Sequence, residues 1–137
     1  SVKDGLLKEK ASPETISKNL AELKANKVSQ KMTDRLVLGA DSVIDLKGKI
    51  ISKPTNRSSA LEILRNLNGQ THNLISSVCI SYNGLMVWNY TDKAALTMKQ
   101  VDDEDLKVYL IIDLKNIYSW RLNNKYKNKQ QLYSYFF

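Results

Sequence analysis

One cysteine and one histidine stand in 137 residues, and both shortages carry information. Cys79 alone forms no intramolecular disulfide, and together with His72 it falls two donors short of a zinc site. That usage is the one expected of a reducing, cytoplasmic compartment. No apolar run approaches the ~18 residues that a bilayer-spanning helix needs, so no membrane partner is expected. Nothing near Ser1 combines a basic start with an apolar middle, so no signal peptide is expected either. A Gly-rich phosphate loop of the Walker type, a Gly-x-Ser-x-Gly elbow and a paired-cysteine motif are all missing, and there is no internal repeat.

What the chain does have is the composition of one soluble globular core, with 42% hydrophobic and 26% charged residues. The net charge of +7 is unevenly spread. Residues 1–110 carry 16 basic and 13 acidic side chains, whereas residues 111–137 carry five basic and one acidic. That last stretch also holds four of the seven tyrosines, both phenylalanines and four asparagines, without glycine or proline. Its Asn123 to Lys129 run has a low-complexity pattern, and residues 111–137 are set apart as an atypical basic, aromatic-rich tail.

Ser12-Pro13-Glu14 places a capping hydroxyl ahead of a proline at the first helical position. Ile16, Leu20, Leu23 and Val28 then recur at roughly helical spacing, which predicts a helix over 13–31. Leu36 to Leu38 and Val43-Ile44 are short β-prone runs separated by a polar kink at 39–42, and Lys47-Gly48-Lys49 supplies a turn before Ile50-Ile51. Asn56 caps a second helix whose Ala60, Leu61, Leu64 and Leu67 share a face, and Asn68-Gly69 stops it. A strand over 71–81, with Leu74, Val78 and Ile80 on one side, is followed by the hairpin signal Asn83-Gly84 and a second strand from Leu85 to Tyr90. Asp102 and its acidic neighbours suit the start of a last helix carrying Leu106, Tyr109 and Leu110 inward. The alternation of helices and strands predicts an α/β fold with a mixed β-sheet flanked by helices.

The stretch Leu38-Gly39-Ala40-Asp41-Ser42-Val43 puts a carboxylate at the end of an apolar run, beside a glycine that permits close backbone approach. Such a carboxylate takes a proton from water or meets a divalent cation beside phosphate oxygens, and it equally serves as a turn aspartate bonding its own backbone. Lys53-Pro54, twelve residues on, holds an ammonium in an extended dipeptide suited to a phosphate, although a solvated surface lysine has the same sequence. Lys24 sits beside the apolar face of the first helix, where it projects into a cleft or simply snorkels. His72 reads as a structural residue and not a metal ligand.

Leu20 to Ala25, Leu38 to Val43, Ser52-Lys53-Pro54, Leu67 to His72 and Asp102 to Leu110, in that order and spacing, resemble the Maf family of nucleotide pyrophosphatases. The resemblance covers residues 4–110 and implies a Maf-like domain over 1–110, with an inosine-triphosphatase-like α/β fold. It implies cleavage of a nucleoside triphosphate to the monophosphate and pyrophosphate with a divalent metal, Mg²⁺ or Mn²⁺. Asp41 would be the proton acceptor for the attacking water, with Lys24, Lys53 and Ser42 on the substrate side. The metal ligands are left unassigned. Gly39 to Ser42 and Gly69 to His72 are similar to the branch acting on dTTP and UTP, with Ser42 where that branch has threonine. Asp4-Gly5 stands where the family has Asp-Glu, and Lys99 where it has arginine. The family's Ala-Ser-x-Ser-Pro-Arg-like opening and Gly-Tyr-x-Ile-Gln-Gly-like continuation have no counterpart, so the chain reads as an incomplete member. By the same analogy it forms a homodimer, and nucleic acid is not an expected partner. The competing reading is an inactive remnant that binds nucleotides or nucleic acid, its tail supplying phosphate contacts and stacking.

Overall fold

The structure, a computed structural model, describes residues 2–8 and 10–111. The tail set apart above, from residue 112 onward, lies outside the described residues. The described residues divide into two compact units, one formed within residues 2–52 with 72–96 and the other by residues 53–71 with 97–111. No helix among the described residues is long and apolar enough to cross a membrane.

The first unit contains α1 (Val2–Lys8), α2 (Pro13–Ser29), β1 (Leu36–Leu46), β2 (Lys49–Ile51), β3 (Thr71–Tyr82) and β4 (Leu85–Thr97), the third strand beginning one residue before the unit. Ser12 caps α2 as expected, its hydroxyl accepting from the Thr15 amide at 3.1 Å. The strands form one sheet in the order β2-β1-β3-β4, and β1 pairs antiparallel with both neighbours. Asn83 and Gly84, with φ of 47° and 84°, make the tight turn that the Asn-Gly signal promises. The polar kink expected at 39–42 does not form. Gly39 to Ser42 continue the ladder opposite Cys79 to Ser76, so β1 is a single strand of 11 residues. Pairing on β3 satisfies the backbone groups that a kink would have left to water.

The core is not where large side chains alone would put it. Of the four periodic residues of α2, Ile16 is buried and Leu20 packs against its cluster, whereas Leu23 and Val28 are exposed and the helix buries the small residues Ser17, Ala21, Ala25 and Ser29. Positions 17, 21, 25 and 29 are four apart and make one stripe along the helix. Lacking bulk, they let the backbone of α2 approach the sheet closely. On β3 the face toward α2 is likewise Ile75, Ser77, Cys79 and Ser81, whereas Leu74, Val78 and Ile80 occupy the half-buried opposite face. Ile16, Val43 and Ile75 form one buried cluster, and Ala21, Ala25 and Cys79 form another. The polar members of the stripe are paired: Ser81 Oγ donates to Asn26 Oδ1 at 2.6 Å, and Ser29 Oγ accepts from the Gly84 amide at 3.0 Å. Burial pushes the Cys79 thiol pKa up, and its Sγ lies 3.8 Å from the Lys18 carbonyl. Such a thiol is a packing group with little thiolate character.

In the second unit α3 (Arg57–Leu67) starts at a reciprocal cap. The Asn56 side chain accepts from the Ser59 amide at 2.8 Å, and the Ser59 hydroxyl accepts from the Asn56 amide at 3.1 Å. Asn68 then clamps Val101 in both directions, at 2.8 and 3.0 Å. A helix over 103–111 follows, with Leu106 buried as expected. Tyr109, expected inward, is exposed, and the first turn of the helix meets α3 through Asp103 and Arg65.

That contact is ionic. Arg65 holds Asp103 through two bonds of 2.6 and 2.9 Å, and Lys107 stands 3.5 Å from the same carboxylate. The Arg65 hydrogen bond brings the Asp103 pKa down from 3.8 to about 2. A carboxylate depressed in the folded state contributes stability above its unfolded pKa and loses that contribution as pH falls toward the folded one. The difference in urea midpoint between the wild-type chain and Asp103→Asn is therefore expected at neutral pH and should vanish between about pH 4 and pH 2.

Candidate functional site

Alternation along β1 places Asp41, Val43 and Asp45 on the face covered by α2, and Ser42 and Ile44 on the other. Lys24, on the flank of α2, reaches down to that face. Its ammonium donates to Asp41 Oδ1 and, at 3.3 Å, to the Ala40 carbonyl. The Lys24 side chain is 56% exposed and that of Asp41 is 15% exposed, so the pair lies at the rim of the helix and sheet interface. It offers a carboxylate held in a fixed place with an exposed cation above it.

The helix can approach so closely because Gly39 has no side chain. A Cβ there would stand 2.5 Å from the Ala21 carbonyl oxygen and 2.7 Å from the Ala25 amide nitrogen. Ser17 adds a second anchor. Fully buried on α2, it donates its hydroxyl to the Asp41 carbonyl at 3.0 Å and lies 3.4 Å from that of Ile75. It ties the backbone of Asp41 directly to the helix that carries Lys24. Ser17→Ala should destabilise the chain by ~1 kcal/mol in a urea melt, as expected for one buried hydrogen bond.

The residues expected at the site are thus distributed unequally. Lys24 and Asp41 come together. Ser42 is on the opposite face of the same strand, its hydroxyl 2.8 Å from that of Ser76. Lys53 is exposed, in the second unit. His72 is buried and its Nδ1 has no hydrogen-bond partner, and the same holds for Asp45 Oδ1. Asp45 was not among the expected residues, although its period-two spacing from Asp41 is the signal that puts both carboxylates on one face.

A resident divalent cation does not fit the donors here. Among the described residues no group of three or more His, Cys, Asp and Glu could hold a metal ion. Asp41 is already bonded to an ammonium, and Asp45, four residues along a strand, is ~13 Å away, too far to share a cation with it.

The Maf-like protein family model matches residues 1–113. Over 123 residues the chain is 64% identical to a nucleoside triphosphate pyrophosphatase of Pelagibacter ubique, covering 89% of this chain and 63% of that protein. A protein of the same name from Ruegeria pomeroyi is 41% identical over 110 residues, 80% of this chain and 55% of its own length. A 7-methyl-GTP pyrophosphatase of Bartonella quintana is 35% identical over 106 residues, 77% of this chain and 54% of its own. The chain therefore spans between about half and two thirds of the length of the curated relatives that it matches.

Proposed function

The chain belongs to the Maf family, and from that premise we propose that it serves hydrolysis of a nucleoside triphosphate to the monophosphate and pyrophosphate. The observation that carries this reading is the Asp41 carboxylate fixed on β1 beneath the exposed ammonium of Lys24. Asp41 accepts a proton from water as the water oxygen attacks the α-phosphorus. The bond from that phosphorus to the bridging oxygen breaks, and pyrophosphate leaves with the electron pair. Lys24 neutralises charge that builds on the phosphate oxygens, where a preplaced cation is worth most. Lys53 joins it as a second phosphate cation in this reading, and Ser42 supports the strand through its bond to Ser76.

Mg²⁺ or Mn²⁺, in the same reading, arrives with the substrate's phosphates and not in a cage built by the described residues. Among bases, dTTP and UTP are the proposed substrates, on the Gly39 to Ser42 and Gly69 to His72 motifs. The homodimer and the cytoplasmic setting belong to the proposal as well.

The test is a panel of dTTP, UTP, CTP and GTP with the full chain in ¹⁸O water. Pyrophosphate, and not phosphate, should be released, with the label entering the monophosphate. Label in pyrophosphate would place the attack at the wrong phosphorus and defeat the reading, as would hydrolysis that ignores the base.

A further inference from the structure

Among the described residues, buried serine hydroxyls tie α2 to its surroundings at three places, and the three ties end on different elements. Ser29 accepts from the Gly84 amide in the turn between β3 and β4, and Ser81 of β3 donates to Asn26. Ser17 reaches β1, the strand that carries Asp41. The difference matters because of what lies between them. Ala21 and Ala25 meet Gly39 by close packing, which fixes how near the helix stands to β1 but has no preferred place along the strand. A hydrogen bond is short and directional, and it does select that place.

A helical serine can spend its proton on the carbonyl four residues back in its own helix. Ser17 spends it on the sheet. Without any exposed surface, its hydroxyl donates to the Asp41 carbonyl at 3.0 Å and lies 3.4 Å from the Ile75 carbonyl of β3. One hydroxyl within reach of both strands means that the Asp41 carbonyl faces β3. Successive carbonyls of a strand point to opposite edges, so that of Ala40 faces away from β3, and it is this carbonyl that the Lys24 ammonium meets at 3.3 Å. The helix therefore grips Asp41 from both edges of its strand, through two side chains seven residues and ~10 Å of helix rise apart.

We propose that Ser17 is a positioning residue for the site: its hydroxyl fixes where Asp41 lies along α2, and thereby the contact between the Asp41 carboxylate and Lys24. The consequence for turnover rests on the hydrolytic reading above, whereas the contact itself does not. Being fully buried, Ser17 meets no substrate, so its loss leaves ground-state binding alone. What it disturbs is the alignment of base and cation with the reacting phosphorus, to which the transition state is most sensitive.

The test compares Ser17→Ala with Ser29→Ala in the full chain. Each removes one buried hydroxyl of α2, so the two should lower the urea midpoint by similar amounts. Only Ser17→Ala should lower kcat, by about 10-fold or more, with KM changed less than about two-fold. A second readout needs no turnover. A carbodiimide couples an ammonium to a carboxylate only where the two touch, and the Lys24 to Asp41 amide is mapped by peptide mass. Its yield should fall several-fold in Ser17→Ala and hold in Ser29→Ala. Should the alanine variant fail to fold, Ser17→Cys fills the same space with a weak donor and should show the same losses. Full coupling and full kcat in a folded Ser17 variant would overturn the proposal, as would equal losses in Ser29→Ala. A wild-type chain that releases no pyrophosphate would defeat the hydrolytic reading, and the coupling yield would then decide the positioning role.

Discussion

Asp41→Asn is expected to cut pyrophosphate release by ~10²–10⁴-fold, the usual contribution of a positioned general base. The side chains are nearly isosteric, and the asparagine oxygen still accepts a bond from Lys24, so the substitution removes the proton acceptor and one charge and little else. Stability should barely change. The lost interaction is a rim ion pair whose cation is 56% exposed, and pairs of that kind are worth ~0–1 kcal/mol. An activity loss beside an unchanged urea midpoint is the signature of a base. Unchanged release by Asp41→Asn would end that assignment, and a fall in both quantities would assign Asp41 to the fold. Lys24→Met removes a cation that acts on charge building during the reaction, so kcat should fall by more than KM rises.

How much of this was legible in the sequence depended on whether the signal was local. Ser12-Pro13, Asn56, Asn68-Gly69 and Asn83-Gly84 act within a few residues of their own positions, and each marks an element end where the structure has one. Asp41 at an apolar strand beside a glycine could be singled out for the same reason. The core face of α2 could not. Hydrophobic periodicity picks out Ile16 and Leu20, which meet the core, together with Leu23 and Val28, which do not; a helix that lies close on a sheet buries the residues that are small, and the sequence alone does not say how close the helix comes. The same tertiary choice turned β3 so that Cys79 and two serines face inward. The kink expected at 39–42 does not form because Gly39 to Ser42 pair along β3, and the close backbone approach that Gly39 permits is that of α2. Ser17 was invisible for a related reason. Its worth lies in a carbonyl 24 positions away.

Gly39→Ala should be the most destabilising single methyl in the first unit. The added Cβ would meet two backbone atoms, the Ala21 oxygen at 2.5 Å and the Ala25 nitrogen at 2.7 Å, and the Ala25 Cβ at 2.8 Å. A flexible side chain could swing away, but a helix backbone cannot yield without moving the whole of α2. The cost should sit at or above the upper end of the ~1–3 kcal/mol typical of overpacking, read as a fall in urea midpoint at constant slope. Ala25→Gly offers a control with a definite sign. It removes only the side-chain part of the clash and adds ~1 kcal/mol of its own helix penalty, so Gly39→Ala with Ala25→Gly should be no more stable than Gly39→Ala alone. Recovery in the double variant would show that α2 and β1 touch through side chains and lie further apart than the structure has them. If α2 is pushed outward, Lys24 leaves Asp41, because the two sit on the elements that the methyl separates. A Gly39→Ala chain that remains folded should therefore lose pyrophosphate release as well, although Gly39 itself touches no substrate.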